Sequence, residues 1–124
     1  MFNNYESAGK HMVCDLKCIK NRELLNNCHL LKIMMKDICK KYDFQILNEV
    51  EHQFHPIGCT IIFLLAESHM SIHTFPEKQY ISFDIYTCRQ YNDNSVYTEI
   101  YNHIINRLDA SEENSSVNII ERFF

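Results

Sequence analysis

A serine set between Glu67 and His69, with His73 five residues on and Cys88 beyond it, is the part of this sequence best suited to chemistry. Serine and cysteine supply nucleophiles, histidine moves protons near neutral pH, and a carboxylate accepts hydrogen bonds or protons. A Ser-His-Asp hydrolase is one chemistry this cast leaves open. The Gly-x-Ser-x-Gly elbow is missing, however, because Ser68 is flanked by Ala66, Glu67, His69 and Met70. His69 and His73 lie four apart, on one face of a strand but about 13 Å from each other, too far to share one ion. No metal site is expected there.

Three features must position these residues. The run Ile61-Ile62-Phe63-Leu64-Leu65, the most apolar in the chain, ends just before Glu67. Cys59 to Ala66 therefore reads as a central strand covered on both faces. After Ser68 the pattern alternates, with His69, Ser71 and His73 on one side and Met70 and Ile72 on the other, until Pro76 stops the strand. Tyr80 to Cys88 alternates again, Ile81, Phe83 and Ile85 against Ser82, Asp84, Tyr86 and Cys88.

Around this centre, His11 to Ile19 reads as a first strand and Phe44 to Phe54 as another, with a turn at His55 to Gly58. Leu24, Cys28, Leu31, Met35, Ile38 and Tyr42 form one stripe at helical spacing, predicting one amphipathic helix from about 22 to 42 with Asn21 as its cap. A second helix is expected from about Ser95, carrying Val96, Ile100, Ile104 and Leu108, and a last strand from Val117 to Phe124. Residues 1–8 are expected to be loose. The order predicts an α+β fold, a two-layer sandwich with two helices on one face of a mainly antiparallel sheet. The face bearing His69, His73, Asp84 and Cys88 is then left for a dimer partner.

Bulk properties narrow the function. A chain of 124 residues suits a single domain, 1–124. A net charge of -4 argues against a nucleic-acid or anionic-membrane surface. No apolar run approaches the roughly 20 residues of a membrane span, and Met1 to Lys10 has no apolar signal core. The six cysteines show no CxxC spacing, so free, mostly buried thiols and a cytoplasmic location are expected.

The central segment also resembles the prokaryotic-type, pyruvoyl-dependent S-adenosylmethionine decarboxylases. The match runs through Glu67-Ser68-His69, Ile72-His73, Pro76-Glu77 and Thr87-Cys88, with His11, Phe54, Pro56 to Gly58 and Thr60 upstream. It covers roughly residues 9 to 90.

The resemblance implies that the chain cuts itself between Glu67 and Ser68 by serinolysis, giving a β chain 1–67 and an α chain 68–124. Ser68 would become a pyruvoyl cofactor that takes the substrate amine as a Schiff base. Thr60 and His73 would assist processing, and Cys88 would return a proton during decarboxylation. Phe54 would stack on adenine and Glu77 would bind ribose hydroxyls. The implied substrate is S-adenosylmethionine, the implied product an aminopropyl donor for spermidine synthesis, and the implied assembly a homodimer.

Ile61 and Arg89 depart from the family, which usually has Gly after the residues matched to Thr60 and Cys88; Lys10 and Phe75 are milder changes. Arginine or ornithine as substrate, or an uncleaved regulatory subunit, are the alternatives.

Overall fold

The computed structural model describes residues 6–124. The chain runs β1 (Ser7–Leu16), α1 (Arg22–Leu25), α2 (Cys28–Lys41), β2 (Ile46–Gln53), β3 (Cys59–Leu65), β4 (Ser68–Phe75), β5 (Tyr80–Thr87), α3 (Ser95–Leu108) and β6 (Ser116–Phe123). A single 3-10 turn, Pro76–Lys78, joins β4 to β5. The strands form one sheet in the order β2-β3-β4-β5-β1-β6, and every neighbouring pair is antiparallel. The α+β architecture is as expected.

Alternation divides the sheet into two unlike faces. Met12, Cys14 and Leu16, Cys59, Ile61, Phe63 and Leu65, Met70 and Ile72, and Ile81, Phe83 and Ile85 point into the core. There they meet Leu31, Met34, Met35 and Ile38 of α2, and Tyr97, Ile100, Ile104 and Leu108 of α3. Burial of these apolar side chains is the main force seating the helices on the sheet. The other face carries His11, Thr60, His69, His73 and Asp84 and has no helix over it, whereas Ser68, opposite Leu65 and Thr87, stands at the end of the core face.

Four expectations need correction. The helix expected over 22–42 is two helices: Asn26 ends α1, and Asn27, in an extended conformation, accepts a hydrogen bond from the Leu30 amide at 3.0 Å and starts α2. A capping side chain competes with helix continuation, and here it prevails although the apolar spacing runs through the break. β3 is second from the edge and covered on one face only: Ile62 and Leu64 are 38% and 52% exposed. β1 starts at Ser7, four residues before the expected His11, so Ser7 and Ala8 belong to the sheet, while the expected loose residues 1–5 lie outside those described. All six cysteines are free, but Cys18 and Cys88 are exposed, Cys28 is half-buried, and only Cys14, Cys39 and Cys59 are buried. No helix among the described residues is long and apolar enough to cross a membrane.

Candidate active site

The Glu67–Ser68 bond lies in the hairpin between β3 and β4. Leu65 pairs with Ser68, so Ala66 and Glu67 make a two-residue turn. Such turns favour positive φ at their central residues. Here it is Ser68, the residue after the turn, that carries a φ of 148°. For a residue with a side chain, that backbone costs on the order of 1–3 kcal/mol, so something must hold it there.

The holding groups come from the segment just after β5 and from the residue just before β2. The Cys88 amide donates to the Glu67 carbonyl oxygen at 3.0 Å, and the Ala66 amide donates to the Gln45 carbonyl at 2.9 Å. The Glu67 carboxylate accepts from Arg89 Nη2 at 2.9 Å and from the Gln45 amide at 3.1 Å. Behind Cys88 lies the Gly9 backbone of β1, so close that a Cβ there would sit 2.0 Å from the Thr87 carbonyl oxygen and 2.7 Å from the Cys88 Cα. Only glycine lets β1 pass at that distance, with its φ of 98°. The Cys88 thiol itself is exposed.

A second group gathers at the far end of β4. Thr60 and His73 are cross-strand partners, and Thr60 Oγ1 and His73 Nδ1 share a hydrogen bond of 2.9 Å whose direction follows the histidine tautomer. They line a groove of about 400 Å³ together with Phe54, Ile57, Gly58, Thr74, Phe75 and Glu77. The groove holds its shape because Gly58 donates to Asn26 Oδ1 at 3.2 Å, tying the β2–β3 loop to the end of α1. It thus brings together four residues that sequence singled out: Phe54, Thr60, His73 and Glu77. It does not include Ser68, which lies five residues from His73, about 17 Å along an extended strand. Glu67, Ser68 and Cys88 form one cluster and the His73 group another.

Between them sits a network on the open face that sequence reasoning did not assemble. Asp84 Oδ2 accepts from His11 Nε2 at 2.6 Å and from His69 Nε2 at 3.1 Å, while Ser71 donates to Oδ1. Burial raises the Asp84 pKa, but the hydrogen bonds from Ser71, His11 and His69 outweigh it and leave the carboxylate below its usual range. An ionised Asp84 only accepts, so both rings present N–H to it. Their ligand atoms lie within 4.8 Å of one another, the convergence a cation would need, yet they already satisfy each other. The signal for this network was the strand register: Ser71 pairs with Asp84, and His69 and His11 both pair with Tyr86.

Comparison with known proteins agrees with this layout. The family model described as S-adenosylmethionine decarboxylase matches residues 10–122. A Bacillus cereus protein named S-adenosylmethionine decarboxylase proenzyme 2 is 37% identical over 84 residues, 68% of each chain. A Clostridium botulinum S-adenosylmethionine decarboxylase proenzyme is 39% identical over 82 residues, 65% of this chain and 69% of its own. The crystal structure of the adenosylmethionine decarboxylase from Aquifex aeolicus VF5 superposes with a TM-score of 0.81 at 27% identity, covering 96% of this chain and 93% of that one. With the fold and nearly the whole length in agreement, the chain belongs to the S-adenosylmethionine decarboxylase family.

Proposed function

We propose that this chain is a proenzyme that cuts itself between Glu67 and Ser68 and then decarboxylates S-adenosylmethionine, yielding an aminopropyl donor for polyamine synthesis in the cytoplasm. The observation that carries the reading is the Glu67–Ser68 peptide. Its serine is held at a φ of 148° and its carbonyl oxygen already receives the Cys88 amide. These are the residues a self-made pyruvoyl group requires: a serine hydroxyl beside a polarised carbonyl. The proenzyme names of the relatives are in keeping with a chain that is processed.

In processing, Ser68 Oγ attacks the Glu67 carbonyl carbon. The C–O bond forms, the C–N bond breaks, and the Ser68 nitrogen takes up a proton, leaving an ester. The Cys88 N–H stabilises the oxyanion of that step. Loss of the Ser68 Cα proton then breaks the Cβ–Oγ bond and expels the main-chain carboxylate of Glu67 as a new C-terminus, and hydration with release of ammonia leaves the pyruvoyl group at residue 68. That group supplies a carbonyl that draws off electrons as carbon dioxide leaves the substrate. The Cys88 thiol returns a proton to the substrate α-carbon. Phe54 stacks on the adenine and Glu77 accepts from the ribose hydroxyls, in the groove they share.

Thr60 and His73 handle the processing protons, and their distance from Ser68 in one chain leads to the assembly. We place the site between two copies, the His73 group of one protomer completing the Ser68 cluster of the other. In support, the open sheet face exposes Val50, Ile62 and Leu64, at 62%, 38% and 52%, beside the polar centre.

Intact mass spectrometry of the purified protein tests the reading. Fragments 1–67 and 68–124, the second with a pyruvoyl N-terminus, are expected, together with carbon dioxide release from S-adenosylmethionine. A single full-length chain after prolonged incubation would overturn it in favour of a regulatory subunit. Release from arginine or ornithine alone would reassign the substrate.

A further inference from the structure

We infer that Arg89 is a positioning residue for self-cleavage, holding the Glu67 side chain so that the scissile carbonyl stays in line with Ser68; this rests on the proposed processing reaction. The Arg89 guanidinium spans three walls of the turn. Nη1 donates to the Tyr42 carbonyl at 2.6 Å and to Tyr91 Oη at 3.2 Å, while Nη2 donates to the Asp43 carbonyl and to Glu67 Oε1 at 2.9 Å. The guanidinium carbon lies 4.5 Å from the centre of the Phe44 ring. A planar fork satisfies several acceptors at fixed angles, as an ammonium group does not.

The Glu67 carboxylate needs such a partner. Its side chain is only 12% exposed, and Oε2 is buried without a hydrogen-bond partner among the described residues. Arg89 is the cation that compensates this charge. Without it, a buried carboxylate would be left unpaired, and the turn would have to move outward to hydrate it. The residue that would move is the one whose carbonyl Ser68 attacks. Cys88 and Arg89, adjacent in sequence, thus fix the main chain and the side chain of Glu67 respectively. A displacement of even 1 Å disrupts attack geometry, so loss of the clamp should slow cleavage about 10- to 100-fold.

The test follows the cleavage half-time of newly synthesised chain on denaturing gels, for wild type, Arg89→Ala, Arg89→Lys, Glu67→Ala and the double variant Arg89→Ala/Glu67→Ala. Slow cleavage in Arg89→Ala, intermediate cleavage in Arg89→Lys, and little or no added effect of Arg89→Ala once Glu67 is alanine would support the clamp. An arginine that merely braces the end of α2 would slow cleavage as much with Glu67 absent as with it present, and that additivity would overturn the inference. Wild-type cleavage rates in Arg89→Ala would overturn it too, while leaving self-processing intact. Should Arg89→Ala not fold, wild-type rates in Arg89→Lys, whose single ammonium cannot make the fork, would overturn it as well. A wild-type chain that never cleaves would remove the processing reaction and this inference together.

Discussion

In the proposed processing, Ser68, Cys88 and Gly9 serve one peptide bond by three different means: a hydroxyl, a main-chain amide and the lack of a side chain. Ser68→Ala should leave a single chain with no activity, read by mass spectrometry. Cys88→Ala keeps the amide that faces Glu67 and loses only the thiol, so it should still cleave but decarboxylate about 10²- to 10⁴-fold more slowly. Full activity in that variant would remove the thiol from the proton-return role. Gly9→Ala should push β1 off Thr87 and Cys88, costing about 1–3 kcal/mol in a denaturation curve and slowing cleavage. Asp84 should be read by pH. Its folded pKa is lowered, so the stability it contributes is present above its ordinary value of 3.8 and is lost as pH falls through the lower folded value. Asp84→Asn should therefore flatten the acid limb of the stability curve, and an unchanged limb would mean that the network does not hold the carboxylate. Residue type and spacing single out Ser68, His73 and Cys88 as able to do chemistry, and their proposed roles come from the family resemblance. The His11–Asp84–His69 network was not, because it depends on which residues of three separate strands stand side by side.

At the scale of elements, the sequence pattern gave reliable faces and less reliable limits. The alternation in β4 and β5 reports directly which side chains meet the helices, since one-residue steps invert the face. The apolar run in β3 misled for an instructive reason. Ile62 and Leu64 are hydrophobic yet exposed, and a strand with apolar residues on both sides reads as doubly covered whether its second cover is a helix or another protein. The break before α2 was hidden because the stripe keeps its phase across Asn26 and Asn27. Asn27→Ala should cost about 1 kcal/mol of stability by removing the cap, and a null result in chemical denaturation would mean that tertiary packing alone sets that helix start.

For the whole molecule, the two clusters at opposite ends of β4 make a sharp prediction about mixed assemblies. Ser68→Ala and His73→Ala chains should each stay uncut alone. Mixed together, a dimer of the two contains one site with both an intact Ser68 and an intact His73, so the His73→Ala chain should be cut and the Ser68→Ala chain should not. Absence of any cutting in verified mixed dimers would place Thr60 and His73 outside the processing step. The separation follows from the sequence once Ser68 to His73 is read as one strand, because strand rise turns five residues into about 17 Å, but the grouping of His73 with Phe54, Thr60 and Glu77 needed the folded sheet.

The strand order β2-β3-β4-β5-β1-β6 has a further consequence. A cut after Glu67 would assign β1, β2 and β3 to one fragment and β4, β5 and β6 to the other. The two fragments are then interleaved: β3 lies against β4, and β1 is inserted between β5 and β6, so three of the five ladders join one fragment to the other. Neither piece can leave without unzipping the interior of the sheet, and the cut protein should elute as one body in the absence of denaturant. Recovery from denaturant should differ between the two forms. The uncut chain reassembles its sheet within one molecule, whereas the cut form must find its other half, and its refolding rate should rise with protein concentration.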